Sequence, residues 1–300
     1  MKKIHRFLAA SIFILISLVS IENVFAGAWT VPKHKVWSEY YMKWNWGKEY
    51  FNSDWKKKKL NNDARSWEFV QEPKLEFGVT DSLTALTSIE YKEAHYKEYG
   101  RPYKWNKGMF THSNTGLTAV KVGGRWRFMD VPFVMSTQTK VFIYPGYPVD
   151  HGDDPGYTNS PSIGHGDDAV EQRILIGKVF SIPLTGTYKL PCYWGAETGY
   201  RWRTKHVSND IPYFLEGGFW PAPWLLVKSE LDGYITAGTE KIKESYGIWR
   251  IGGVWQIFGG DSVLRQGNKL FNIELQYGMT LWGKNTTLYQ EWVCKVQTQF

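Results

Sequence analysis

The last fourteen residues of the chain, Thr287 to Phe300, alternate between apolar and polar side chains. Successive side chains of a strand point to opposite faces, so this stretch predicts a strand with one apolar and one polar face. Such a strand at a water-facing sheet edge would invite aggregation, whereas a closed barrel in lipid turns apolar residues outward and polar residues into its lumen. The predicted outward set is Phe300, Thr298, Val296, Cys294 and Trp292, and the predicted inward set is Gln299, Gln297, Lys295, Val293 and Glu291.

The same alternation recurs along most of the chain and gives about 12 strands. Each is close to the roughly 9–11 residues that a tilted strand needs to cross a membrane. The connections alternate between short ones, at 80–82, 129–131 and 221–223, and long ones, at 47–64, 96–112 and 145–168. We therefore predict an all-β fold, a closed antiparallel transmembrane β-barrel of about 12 strands, with short periplasmic turns and longer extracellular loops. A soluble β-sandwich would fit each strand singly, but not charged faces on all of them.

The first 26 residues have the pattern of a cleaved secretory signal peptide. A basic start leads into an apolar run at 7–19, which ends before a small-x-small site, Val24-Phe25-Ala26. The apolar run is shorter than the roughly 20 residues of a spanning helix, so an uncleaved anchor fits the pattern less well. We expect a mature chain of residues 27–300 that forms one barrel domain in the bacterial outer membrane.

Composition agrees with a barrel. Aromatic residues make up 17% of the chain, and the two aromatic girdles of a membrane barrel would account for this large share. The formal net charge of +7 is spread over interleaved acidic and basic residues, so we expect no nucleic-acid partner. The only two cysteines, Cys192 and Cys294, fall on predicted strands that are not neighbours, so a disulfide between them is not favoured.

Three stretches carry a resemblance to a known family: Gly27-Ala28-Trp29-Thr30 with Pro32-Lys33, Gly195 to Arg203, and Gly217 to Leu226. They resemble a family of Gram-negative outer-membrane barrels, the XagA-like proteins. The resemblance implies a barrel, an outer-membrane address and no catalytic residues. Some members are associated with surface adhesion or polysaccharide-linked biofilm traits. The terminal Phe300 also resembles the assembly signal that the outer-membrane assembly machinery recognises in a C-terminal strand.

Charged residues gather on the predicted inward faces and are the candidate lumen-lining residues. Such charges either line a water path and select solutes or pair with each other and close it. Both readings stay open, because the parity of a strand position does not set the register that pairs it. A basic wall facing an acidic wall would suit polar or anionic solutes. The candidates are Glu68, Glu72, Glu76 and Glu90 on the second and third strands, Lys121, Arg125, Arg127 and Lys140 on the fourth and fifth, and Glu197, Arg201 and Arg203 on the seventh.

The longest loop contains the tetrapeptide His-Gly-Asp-Asp twice. Carboxylate oxygens suit calcium and imidazole suits a transition metal, so both copies are candidate metal ligands. Neither copy has the spacing of an established calcium loop, and Asp and Gly are also ordinary turn residues. A solvated loop therefore explains the same residues, and we predict no bound cofactor. The candidate ligands are His151, Asp153, Asp154, His165, Asp167 and Asp168.

His112, Ser113 and Asn114 bring together residue types used in nucleophilic catalysis. Neighbours on a strand point to opposite faces, so His112 and Ser113 would not hydrogen-bond, and we expect no enzyme. The pattern favours a narrow passive channel for small polar or anionic solutes. The alternative is a surface or structural barrel whose extracellular loops act in adhesion or polysaccharide-linked biofilm formation. The expected partners are outer-membrane lipid, the assembly machinery, and a small polar solute or a surface polysaccharide.

Overall fold

A computed structural model describes residues 27–60, 63–100, 108–146, 161, 163–164, 166–185, 188–204, 207–238, 243–258 and 270–300. These residues contain no helix that is long and apolar enough to cross a membrane. They form one antiparallel sheet that closes on itself. The prediction of a closed antiparallel barrel of 12 strands is confirmed, with one short strand added to it.

The strands follow one another around the barrel in chain order, except that the short β2 pairs only with the end of β1. Their bounds are β1 Val36–Phe51, β2 Lys57–Lys59, β3 Arg65–Thr80, β4 Leu83–Gly100, β5 Gly108–Met129, β6 Val134–Ile143, β7 Ala169–Thr185, β8 Tyr188–Arg203, β9 Asp210–Ala222, β10 Leu225–Thr236, β11 Ser245–Phe258, β12 Leu270–Lys284 and β13 Thr286–Gln299. We call the barrel end with the connections 81–82, 130–133 and 223–224 the turn end, and the opposite end the loop end.

The barrel closes by pairing of its last and first long strands. The β13–β1 ladder runs from Trp37 opposite Gln299 to Phe51 opposite Thr286. At the turn end, Val36 and Phe300 exchange backbone hydrogen bonds of 2.9 and 3.1 Å. The final strand thus has both edges paired, and neither is left open for aggregation.

The face assignment of β13 is also confirmed. Trp292 is 51% exposed on the outer surface, whereas Glu291 and Gln299 are completely buried inside the barrel. The same contrast holds around the barrel, where large apolar side chains are exposed and charged ones are buried. In a membrane protein the exposed apolar side chains meet lipid. Cys192 and Cys294 are both free thiols.

Several strands extend beyond the predicted bounds at the loop end. The segments 47–64 and 96–112 are not long loops throughout, because β1 continues to Phe51, β4 reaches Gly100 and β5 begins at Gly108. Apolar and polar residues alternate along a strand only where one face of the strand meets lipid and the other meets the lumen. Above the lipid both faces of a strand meet water, so the alternation ends although the strand does not.

Pro73 lies inside β3. It pairs with Tyr40 of β1, but the β3–β4 ladder skips from Gln71 to Lys74. A proline has no N–H to donate, so it removes one ladder hydrogen bond. The sheet accommodates the loss by a local gap beside an irregularity at Glu90 of β4.

Candidate functional site

A cavity of about 680 Å³ lies inside the barrel and is the candidate functional site. Its wall is formed by inward-facing side chains of most strands. The N-terminal residues Gly27 and Trp29 line it toward the turn end, and Ile163, Gly166 and Asp167 line it toward the loop end. The cavity therefore lies in the lumen between two segments that are not part of the barrel wall.

Residues 27–33, here called the plug, fold into the lumen. Their backbone is held by the wall: Arg125 Nη1 donates to the Trp29 carbonyl oxygen at 2.8 Å, and Thr84 Oγ1 accepts from the Val31 amide at 2.9 Å. Trp29 is 3% exposed, and a Cβ on Gly177 would lie 2.4 Å from its indole ring. Gly177 thus leaves the space that the indole fills.

The plug covers an apolar layer inside the barrel toward the turn end. Trp29 packs in a cluster of buried residues, and this cluster interrupts the otherwise polar lumen. Packed apolar side chains leave few voids larger than a water molecule, so this layer narrows the path through the barrel. Its members are Ala28, Trp29, Leu175, Tyr193, Trp220, Leu226 and Val254.

The end of the longest connection narrows the lumen toward the loop end. Asn114 of β5 donates to the Pro161 carbonyl oxygen at 3.2 Å, and the Ile163 side chain is 2% exposed. A Cβ on Gly116 would lie 3.1 Å from Ile163 Cδ1, so this side chain packs against the barrel wall. The connection thus returns to the barrel mouth before β7 begins.

Only two of the candidate metal ligands lie in the described residues. Asp167 Oδ2 accepts the Val207 amide at 2.9 Å, and Asp168 Oδ1 accepts the Tyr144 amide at 2.7 Å. Both carboxylates thus hold backbone at the loop end. No group of three or more metal-ligating side chains occurs in the part of the chain that the structure describes. The other four candidates, His151, Asp153, Asp154 and His165, lie outside the described residues, so the metal site stays a prediction.

The structure places ten of the eleven candidate lumen residues on the cavity: Glu68, Glu72, Glu76, Glu90, Lys121, Arg125, Lys140, Glu197, Arg201 and Arg203. Arg127 lies elsewhere, at the turn end. Its Nε is 3.1 Å from Asp130 Oδ1, and its Nη2 donates to the Asp81 carbonyl oxygen at 2.9 Å. Its inward parity is that of Arg125, but it is close to the end of β5, where it binds the turns instead of the cavity.

Acidic and basic candidates pair along the wall and do not face each other across the lumen. Lys121 Nζ is 2.9 Å from Glu72 Oε1 and 2.6 Å from Glu90 Oε2. Arg125 Nη1 is 3.2 Å from Glu76 Oε2. The strands that carry these residues are neighbours or next neighbours, so the expected transverse field of a basic wall against an acidic one is replaced by short-range pairs.

A second network surrounds Glu171, which is 1% exposed. Arg173 Nε lies 2.6 Å from Glu171 Oε1, and Arg201 Nη2 lies 2.5 Å from Glu171 Oε2. Arg173 also reaches Glu197 at 3.1 Å, and Arg201 reaches Asp210 at 3.5 Å. Each buried carboxylate thus has a cationic partner, which offsets the large cost of removing it from water.

Sequence reasoning missed a third network, on β10 to β13. Lys228 Nζ lies 2.6 Å from Glu230 Oε1 and 3.1 Å from Glu274 Oε1. Lys295 adds a contact of 2.7 Å to Glu274. Alternation places Lys228, Glu230, Glu274 and Lys295 on the polar strand faces, but they were not among the candidate lumen-lining residues. Arg173 is harder to find from sequence, because the alternation of β7 is irregular.

His112 and Ser113 are neighbours on β5 and pair with different residues of β4, Tyr96 and His95. The His112 imidazole Nε2 lies 3.6 Å from Glu98 Oε1, toward the loop end of the strand. Adjacent strand residues point to opposite faces, so this imidazole is directed away from the Ser113 hydroxyl.

No family model matches the chain, and no curated protein matches it. Among solved structures, it is similar to the COG4313 outer membrane channel from Pseudomonas putida F1, with a TM-score of 0.61 and 11% identity over 93% of this chain and 100% of that one. Weaker likenesses, each with a TM-score of 0.39, are to the translocator domain of the autotransporter NalP from Neisseria meningitidis (7% identity, 89% and 87% covered) and to a Pseudomonas aeruginosa FadL homologue (10% identity, 95% and 95% covered). The first likeness establishes the fold, that of an outer-membrane β-barrel.

Proposed function

We propose that this chain is an outer-membrane β-barrel that works as a narrow passive channel for small polar or anionic solutes. The observation that carries the proposal is the polar cavity of about 680 Å³ in the lumen. This volume is in the roughly 300–1,000 Å³ range of small-molecule sites, so the lumen is large enough for a solute and too small for a polymer coil.

The charged side chains that line the cavity favour polar solutes. Most of its charged groups are held in pairs along the wall, as at Lys121 with Glu72 and at Arg173 with Glu171. Fixed pairs keep the wall hydrated without a large net field, so polar solutes can exchange hydrogen bonds with it as they pass. The Phe142 ring, with the Arg201 guanidinium 4.9 Å from its centre, adds an aromatic edge to this polar lining.

The position of the plug is evidence for a narrow channel and against a wide pore. It narrows the lumen toward the turn end through Trp29 and the buried apolar layer around it. A 12-stranded barrel is wider than the filled eight-stranded case and narrower than open 16-stranded porins. Passage then requires either a path beside the plug or a displacement of the plug from the lumen.

Proteoliposome swelling tests the proposal with a size series of uncharged polar solutes and small organic anions. We expect the smallest solutes to enter vesicles that contain the refolded protein, with rates that fall steeply with size. A protein-free vesicle sample is the control, and a heat-sensitive band shift on gels verifies folding. Inserted protein that passes no solute, both as wild type and with residues 27–33 deleted, would contradict the channel.

A further inference from the structure

The Lys140 side chain lines the cavity from β6 and has an unusual environment. In the described residues it makes no ion pair or hydrogen bond, although Glu171 is directly opposite it on β7. Both oxygens of Glu171 are already engaged, Oε1 by Arg173 and Oε2 by Arg201. The network around Glu171 therefore has no unengaged carboxylate oxygen for the ammonium group of Lys140.

The carboxylates that act on Lys140 have other cationic partners. They belong to Glu171 and Glu197, and both accept hydrogen bonds from Arg173. Neither carboxylate is therefore left to pair with the Lys140 ammonium alone. A charge inside a barrel wall that has no counter-charge is costly, and an anion from solution can supply one.

Arg173 has unused N–H donors beside Lys140. A guanidinium has five N–H donors, and Arg173 uses three in hydrogen bonds, two to Glu171 and one to Glu197. The remaining two donors, with the three of the Lys140 ammonium, match the several acceptor oxygens of a carboxylate or phosphate. Arg125 differs, because its hydrogen bonds to Glu76, Gln138 and the Trp29 carbonyl use all five of its N–H donors.

An aromatic side chain borders the position of Lys140 in the cavity. Phe142 follows Lys140 by two residues on the same face of β6, and both line the cavity. The Phe142 ring is covered by cations, with Arg201 4.9 Å and Lys121 5.7 Å from its centre. An oxyanion on Lys140 would thus lie at the edge of an aromatic surface that an attached small organic body can contact.

We propose that Lys140 and Arg173 form a binding site for a small oxyanion, a carboxylate or a phosphate, on the solute path; the site deepens the proposed channel function and rests on it for its biological role. Lys43 offers a comparison. It too lines the cavity without an ion pair in the described residues, and the carboxylates that act on it, Glu291 and Glu68, are bound by Arg250 and Lys92. Lys43 lies opposite Val70 and Val293, so it lacks the neighbouring arginine that would complete an anion site.

Calorimetric titration of the refolded, detergent-solubilised mature chain with inorganic phosphate tests the site. We expect wild type to bind phosphate and Lys140→Gln to bind it at least about tenfold more weakly, since a charged hydrogen bond is lost. Lys140→Arg should keep most of the affinity, and Lys43→Gln should bind like wild type. Lys140→Gln should fold normally, because it leaves no carboxylate without a partner, and the heat-sensitive band shift checks this.

Two outcomes would overturn the site: no phosphate binding by folded wild type at millimolar concentration, or equal losses in Lys140→Gln and Lys43→Gln. The second outcome would mean that phosphate binding depends on the positive charge of the lumen in general and not on a site at Lys140. Titration in detergent does not require conduction. A barrel that binds phosphate but passes no solute would therefore contradict the channel and keep the site, and a barrel that passes solutes without binding phosphate would do the reverse.

Discussion

Val296 and Gln297 are neighbours on the final strand with opposite surroundings, and the same substitution at both tests the orientation of the barrel wall. Val296 is on the outer face, about midway between the exposed Trp292 and the exposed Phe300. Those two aromatic residues are eight positions apart, or about 27 Å along a strand at roughly 3.4 Å per residue. At the usual tilt of about 35–45° this length spans about 19–22 Å of height, most of the roughly 25 Å apolar band, so Val296 lies near the middle of the band.

The magnitude of each substitution follows from these surroundings. A lysine on the lipid face near the bilayer midplane costs about 2–4 kcal/mol, so Val296→Lys should reduce the folding equilibrium about 30- to 900-fold. Gln297 instead points inward, where its Nε2 donates to Glu39 Oε2 at 2.9 Å and to Glu274 Oε2 at 3.3 Å. A lysine there meets the same two carboxylates, so we expect Gln297→Lys to stay within about 1 kcal/mol of wild type.

Urea titration of folding into lipid vesicles, followed by tryptophan fluorescence and the gel band shift, measures both variants. We expect the midpoint of Val296→Lys to fall well below that of wild type and the midpoint of Gln297→Lys to stay close to it. Equal midpoints for the two variants, or a larger loss at Gln297, would refute the assignment of outer and inner faces.

Two further predictions concern the interior and the amino terminus. Lys228→Met removes one of the cationic partners that Glu230 and Glu274 share, which include Lys295, and should cost up to about 3–5 kcal/mol in the same urea assay, whereas the exposed Lys189→Met should change little; equal shifts would contradict the buried network. Intact-mass measurement of the protein purified from outer membranes should give a chain that starts at Gly27, and a start at any other residue would contradict the predicted cleavage.

Alternation was sufficient to predict the barrel because lipid and lumen impose opposite demands on neighbouring residues. On β13 it assigned Trp292 and Glu291 to the faces that they occupy, with 51% and 0% exposure. It failed where that contrast ends. The segment 96–100 is strand, yet both faces of such a strand lie above the lipid, and its sequence carries no period of two that would have marked it.

The pairing of charges could not be predicted in the same way. Alternation placed Lys121, Glu72 and Glu90 inside, but their contacts depend on the register of three strands and on a break in the β3–β4 ladder beside Pro73. A shift by two residues would keep every face and change every pair. Parity therefore identifies which residues line the lumen and leaves their partners to the structure.

The plug gave no local signal at all. Residues 27–33 have no strand or helix period, and their position depends on distant groups, such as the space at Gly177 and the hydrogen bond from Arg125. Arg125 was predicted to face the lumen, but its role in holding the Trp29 backbone requires both segments in place. Contacts of this kind, between residues roughly 100 to 150 positions apart, follow from closure of the barrel.

The most direct test of the account is the single-channel conductance of Trp29→Ala beside that of Trp292→Ala. Both changes remove an indole, but Trp29 is 3% exposed in the narrowed part of the lumen and Trp292 is 51% exposed on the outer face. We predict that Trp29→Ala conducts more than wild type and that Trp292→Ala, once inserted, conducts like wild type. Unchanged conductance in an inserted Trp29→Ala barrel would contradict a lumen path restricted by the plug.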